Sequence, residues 1–208
     1  MYKRTLKKST VKNIHKFASK KCDKMMVLES SLEYDACFHF EFSKKIVMYE
    51  PQPIGFHYEL CGQVRSYTPD FLITLDNEEQ IFYEVKPFCK TQSEEFDLEF
   101  KAKQSAALNL GIELELITER KIRVKPLIDN LKLLHRYHRL EQKLTPFQKQ
   151  LLKLVASAES LTLSYLINNT QTSYAKIIPQ IADLLAKGLL ESNLLKPLEF
   201  DSNLYVYG

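Results

Sequence analysis

Asp70, Glu84 and Lys86 are the residues of this chain whose types and spacing best suit chemistry. Asp70 follows Pro69 and precedes an apolar, β-rich run, Phe71–Leu75. Glu84 and Lys86 stand two apart around Val85. On a strand both point to one face, while Ile81, Tyr83 and Val85 point to the other and are expected to be core. If a hairpin pairs Asp76 with Gln80, position 70 lies opposite position 86, and two carboxylates and an ammonium share a face. A slip of one residue would separate them. Two carboxylates on one face repel unless a cation sits between them. Their oxygens suit a hard ion such as Mg²⁺, which keeps several waters. A nearby ammonium orients or acidifies an attacking water and stabilises charge building on a phosphate. These are the parts of metal-assisted phosphodiester hydrolysis. An exposed salt bridge between strands would use the same residue types.

The elements that must position this triplet can be read from periodicity. The spacing predicts a helix over about 25–42, with Leu28, Leu32, Ala36 and Phe40 as its buried stripe and Glu29 and Glu33 as a neighbouring row. Pro51 and Pro53 end a short strand at 46–49. Strands follow at 54–60, 64–75 (broken by Pro69) and 81–86, with turns at Cys61-Gly62 and Asp76-Asn77. A helix over 93–110 stops at Gly111. A strand at Glu113–Ile117 and a helix over 127–139 complete an α/β domain with a mixed sheet, spanning 25–140. The pattern then changes. Thr145-Pro146 is an N-cap followed by Pro at N1. Helices fit 146–157, 162–168 and 173–187, and β-rich pieces fit 189–195 and 198–205. Three short helices and then a hairpin is the order of a winged-helix domain, expected over 141–208.

Charge is unevenly spread. The net value is +3, but residues 1–24 hold nine Lys/Arg and one acid, while the remaining 184 hold 20 Lys/Arg and 25 acids. Residues 1–24 therefore read as a basic N-terminal arm. Val11, Ile14 and Phe17 give it a helical rhythm, and Lys7, Lys8, Lys20 and Lys21 are candidate DNA phosphate contacts. Residues 144–208 are neutral, with five lysines, five acids and no arginine. Arg is the commonest reader of guanine, so this region suits a protein partner better than autonomous DNA binding. Gly 5 and Pro 8 exclude a collagen-like or low-complexity chain. No apolar run approaches the ~20 residues of a membrane span, and no apolar stretch marks a secretory signal behind the basic start. The four cysteines lack a C-x-x-C pair, so they read as reduced thiols in a cytosolic setting rather than a zinc site. His135 and His138 read as a solvated helix face; His39 and His57 read as structural.

Several motifs coincide in order and spacing: Glu29-Ser30-Ser31-Leu32-Glu33, Pro51-Gln52-Pro53, Tyr67-Thr68-Pro69-Asp70-Phe71-Leu72 and Tyr83-Glu84-Val85-Lys86-Pro87. Over about 25–140 the chain resembles the TnsA family, the endonuclease subunits of heteromeric transposases, and its C-terminal region looks like that family's winged-helix domain. The resemblance implies a restriction-endonuclease-like mixed sheet flanked by helices. It implies Mg²⁺ (Mn²⁺ substituting) held by Asp70, Glu84 and the Val85 carbonyl. Glu33 is the implied helix-borne acid, with Glu29 as the competing candidate, and Lys86 would serve the attacking water. Some members carry Gln where this chain has Glu84. Gln52 matches a recurrent Gln-Pro whose expected job is turn geometry, and Lys101, Lys103 and Gln104 are further candidate DNA contacts. The implied activity is cleavage of the 5′ (non-transferred) strand at transposon ends. The implied partners are transposon-end DNA, a DDE-type transposase subunit and an AAA+ regulator ATPase, the latter two through the C-terminal domain, with no membrane involved. The rival readings are a stand-alone restriction or repair nuclease and a non-catalytic scaffold.

Overall fold

The computed structural model describes residues 14–138 and 143–206. Lys7 and Lys8 lie outside the described residues. The chain divides into two compact units between Val124 and Lys125.

The first unit opens with a hairpin where an arm and a helix start were expected. Strands β1 (His15–Ser19) and β2 (Lys24–Leu28) pair antiparallel, with Phe17 opposite Met26. Burial alternates along both, so Phe17, Met26 and Leu28 turn inward at a period of two. Phe17 packs edge-on against Tyr34 and Phe38 of helix α1 (Ser31–Phe42). The expected helix over 25–42 therefore begins later: Leu28 closes a strand, and Ser30 caps the helix. Its Oγ accepts a hydrogen bond from the Glu33 N–H at 3.1 Å.

Next come β3 (Ile46–Pro51), β4 (Phe56–Leu60), β5 (Gln63–Tyr67), β6 (Phe71–Leu75), β7 (Gln80–Val85), α2 (Glu94–Leu108), β8 (Glu113–Ile117) and the short α3 (Glu119–Ile122). Ser93 caps α2 through the Phe96 N–H, and Gly111 follows its end at φ +78°. The main sheet has the order β3-β6-β7-β8. β3, β6 and β7 run antiparallel, and β7 and β8 are parallel with α2 as their crossover. The unit is thus α/β, with a mixed sheet flanked by helices, consistent with a restriction-endonuclease-like fold. On one face Phe40 of α1 meets Phe71, Tyr49 and Tyr83. On the other, Phe82, Leu114, Phe100 and Ala107 form a core with Phe56, Tyr58 and Tyr67 from the separate β4–β5 hairpin. Both faces are therefore covered, not only that of Ile81, Tyr83 and Val85.

The second unit is built on helices α4 (Leu127–Tyr137), α5 (Pro146–Ala156), α6 (Leu163–Asn169) and α7 (Tyr174–Ala186). Its strands are β9 (Leu161–Thr162), β10 (Leu190–Glu191) and β11 (Asn203–Val206), in the order β10-β11-β9. Thr145 and Gln148 form a reciprocal capping box at α5, with Pro146 at its start. Buried Asp183 on α7 accepts hydrogen bonds from Gln148 and Lys187, both at 2.7 Å. Helix α4 packs on α7, and Asn130 donates to the Leu194 and Lys196 carbonyls. The expected boundary at 140 therefore departs from the structure, which joins α4 to the second unit. Its apolar stripe of Ile128, Leu131 and Leu134 is buried there.

At the end of α1, Glu41 gathers four donors: the Ser19 and Tyr49 hydroxyls at 2.8 and 2.7 Å, and the Lys20 and Lys21 N–H groups at 2.8 and 2.9 Å. The Lys21 ammonium donates to the Phe40, Ser43 and Ile46 carbonyls, so it closes the helix rather than meeting phosphate as expected. Burial pushes the Glu41 carboxyl up, but its hydrogen bonds from Tyr49, Lys21 and Ser19 outweigh that and hold it below the ordinary range. A depressed folded-state pKa contributes stability above the unfolded value of about 4.3, lost as pH falls through the folded value. Glu41→Ala should therefore cost about 3 kcal/mol at neutral pH, because it strands buried donors. It should also flatten the acid limb of the stability curve measured by urea denaturation. An acid limb identical to wild type would refute the role given to Glu41.

Candidate active site

The register of β6 on β7 decides what meets. Phe71 stands opposite Tyr83, so position 70 faces 84 rather than 86 as expected. The offset is two residues, one full period of the strand, so Asp70, Glu84 and Lys86 still share a face. Asp70 sits just before β6 and is pinned by its backbone on two sides. Its N–H donates to the Tyr83 carbonyl at 3.0 Å, and its carbonyl accepts from the Gln52 N–H at 2.8 Å. Gln52 takes a left-handed φ of 48° to make that bond, so its turn geometry is tied directly to the site. The Asp70 side chain is pinned as well: Oδ2 accepts the Val85 N–H at 2.7 Å.

Glu84 is 3 % exposed. Its Oε1 pairs with the Lys86 ammonium at 2.8 Å, and its Oε2 accepts the Tyr67 hydroxyl at 2.5 Å. Glu33 enters from the first turn of α1. Its Oε1 accepts the Ser30 hydroxyl at 2.7 Å and its Oε2 accepts the Glu29 N–H at 3.1 Å. Of the two competing acids, Glu33 is the one on the helix and is 5 % exposed; Glu29 precedes the cap. These residues line an open cleft of about 980 Å³, with Lys90, Lys103, Glu119 and Arg123 on its walls.

Electrostatics follow from this crowding. Burial, and then the Glu84 carboxylate beside it, push the Asp70 carboxyl up to about 7, with Glu33 adding to the effect. Burial alone would lower the Lys86 ammonium. Glu84 and Asp70 more than offset it and hold that ammonium above its ordinary value. An acid raised by neighbouring acids is stabilised in its charged form by a bound cation. Among the described residues no three His, Cys, Asp or Glu side chains group closely enough to hold a metal by themselves. The candidate donors are instead the Asp70 and Glu84 carboxylates, all oxygen, and each carboxylate oxygen has a second lone pair beyond its hydrogen bond. That set fits a hard ion that retains water, such as Mg²⁺.

The other expected DNA contacts divide. Lys103 pairs with Glu99 at 2.8 Å, lies over the Tyr67 ring and lines the cleft. Lys101 pairs with Asp97 on the exposed side of α2. Gln104 is not a free contact: its amide donates to the Leu114 carbonyl and ties α2 to β8. Lys20 gives its backbone N–H to Glu41. His39 donates to the Ile122 carbonyl at 2.7 Å, and the His57 ring hydrogen-bonds Ser66, both structural positions. Sequence reasoning missed Tyr67 and Arg123. Tyr67 begins the Tyr67-Thr68-Pro69-Asp70 motif, a usable signal, since a buried tyrosine hydroxyl needs a partner. Arg123 reaches Asp35 and Ser31 on the first turns of α1 across 88 and 92 residues, which no local pattern announces.

Residues 43–119 match the family model described as TnsA-like endonuclease N terminal. A comparison with curated proteins finds no match. The matched stretch holds Asp70, Glu84, Val85 and Lys86 but not Glu33, which the fold brings to them from α1. The matched stretch thus surrounds Asp70, Glu84 and Lys86, and over residues 43–119 this chain is similar to TnsA-like endonuclease domains.

Proposed function

We propose that this protein is a Mg²⁺-dependent DNA endonuclease subunit of a heteromeric transposase, cleaving the 5′ (non-transferred) strand at transposon ends. The observation that carries the nuclease part is the convergence of Asp70, Glu84 and Lys86 on one cleft that Glu33 also lines. The strand and the transposon end are extensions from the TnsA-like domain.

In this reading Asp70, Glu84 and the Val85 carbonyl hold the ion. When bound, Mg²⁺ supplies charge stabilisation on the scissile phosphate and a more acidic water. The chain's own residues do the rest. Lys86, drawn to Glu84, holds the attacking water and meets negative charge as it develops. Val85 N–H fixes the Asp70 rotamer, so the carboxylate is set before substrate arrives. Glu33 brings a third carboxylate to the cleft, an acceptor for water there. Lys90 and Arg123 give the cleft walls positive charge suited to a phosphate backbone.

The second unit supports partner docking by a winged-helix domain. Its element order suits that fold, and its helix α7 offers few charges to DNA: Asp183 is buried and Lys187 is paired to it. The partners in this reading are the DDE-type transposase and the AAA+ regulator ATPase.

Three outcomes are expected. Asp70→Ala should lower Mg²⁺-dependent nicking of a transposon-end duplex by about a thousandfold, with an unchanged circular dichroism spectrum; full cleavage by that variant would overturn the site. The wild-type chain should cut efficiently only with its transposase partners present, whereas efficient cutting alone would favour a stand-alone nuclease. Removal of residues 1–13, which carry five Lys/Arg, should reduce the salt dependence of DNA binding, by about 0.9 in log–log slope for each phosphate no longer neutralised. An unchanged slope would show that segment to be idle.

A further inference from the structure

Strand β5 is exposed at every position except its last, Tyr67, which is 7 % exposed. The hairpin carrying it stands apart from the main sheet, yet it delivers this one hydroxyl into the cleft, onto Glu84 Oε2 at 2.5 Å. The ring is held from several directions. Phe56 meets it edge-on at 5.3 Å and Tyr58 at 6.3 Å between centroids. The Lys103 ammonium lies 4.5 Å from its centroid, within cation–π range. Lys103 is held there by Glu99, which in turn accepts the Tyr58 hydroxyl at 2.8 Å. A chain of contacts therefore runs from α2 through Lys103 and Tyr67 to Glu84.

Glu84 has two oxygens and two unlike neighbours. Lys86 holds Oε1 from the half-exposed side, and Tyr67 holds Oε2 from the buried side. The ammonium sits on a flexible stem and can leave Glu84 for a water or a phosphate. The tyrosine cannot follow, because its ring is packed. With the Lys86 contact released, Tyr67 is the remaining hydrogen-bond donor to the Glu84 side chain among the described residues.

We infer that Tyr67 is the positioning residue for Glu84, acting from outside the ligand set to fix that carboxylate for the divalent cation, and that Lys103 acts through its ring. The inference rests on the metal-nuclease reading above. Groups that hydrogen-bond a metal ligand from behind typically change metal affinity 10–100-fold when removed.

Mn²⁺ binding to the full-length protein, read by isothermal titration and by the electron paramagnetic resonance of the free ion, tests it without any cleavage. Tyr67→Phe keeps the packed ring and removes only the hydroxyl. It should weaken Mn²⁺ binding about tenfold or more, and Lys103→Met should weaken it less. In a Glu84→Ala background, adding Tyr67→Phe should change affinity no further, because the residue it acts through is gone. That non-additivity separates positioning from a general loss of fold, which would weaken both backgrounds alike. Unchanged affinity in Tyr67→Phe, or equal losses in the two backgrounds, would overturn the inference and leave the nuclease reading standing. Absence of Mn²⁺ binding by the wild type would instead overturn the nuclease reading, and this inference with it.

Discussion

Carboxylates of like charge, kept close together and away from bulk water, are the constraint on which the first unit turns. Asp70 and Glu84 share one face where β6 begins and β7 ends, and Glu33 adds a third charge from α1. Such a cluster is unfavourable unless something compensates it. The surroundings do so piecemeal: a backbone N–H for Asp70, a lysine and a tyrosine hydroxyl for Glu84, a serine hydroxyl and a backbone N–H for Glu33. Each compensating group has its own place in the fold, so the α1 cap, the β4–β5 hairpin and the β6–β7 register must all be right before the acids can stand together.

The same constraint explains how the rest of the unit is braced. Glu41 and Lys21 hold the end of α1 against β1 and β3, while Arg123 ties its first turns to the end of α3. A helix fastened at both ends presents Glu33 at a fixed depth. On the opposite side of the sheet, Gln104 fastens α2 to β8, and α2 supplies Lys103 to the cleft. Residues that read as candidate DNA contacts, Lys21 and Gln104, thus serve as fasteners.

Much of this was legible in the sequence where the signal was local. Ser93 and Thr145-Pro146 marked helix starts, Gly111 marked a stop, and Glu113–Ile117 alternated as a strand. The site triplet was legible because strand parity survives a two-residue register error. The β1–β2 hairpin was not, because Leu28, Leu32, Ala36 and Phe40 satisfy a helical period even though Leu28 belongs to a strand; the cap at Ser30 decides between them. Helix α4 was legible as a helix but not the partner that would cover it, so its unit could not be read. Arg123 and Tyr67 meet the site through contacts far apart in the chain, and amphipathic pattern carries no record of such pairs.

Glu33 links the start of a helix to the cleft mechanically. Its two oxygens hold the Ser30 hydroxyl and the Glu29 N–H, beside the bond from its own N–H to Ser30 Oγ that caps α1. Any swing of the side chain toward a ligand in the cleft loosens those bonds, and any tightening of the helix start draws it back. A ligand that drew on Glu33 would therefore compete with the hydrogen bonds at the first turn of α1, which couples the helix start to whatever occupies the cleft.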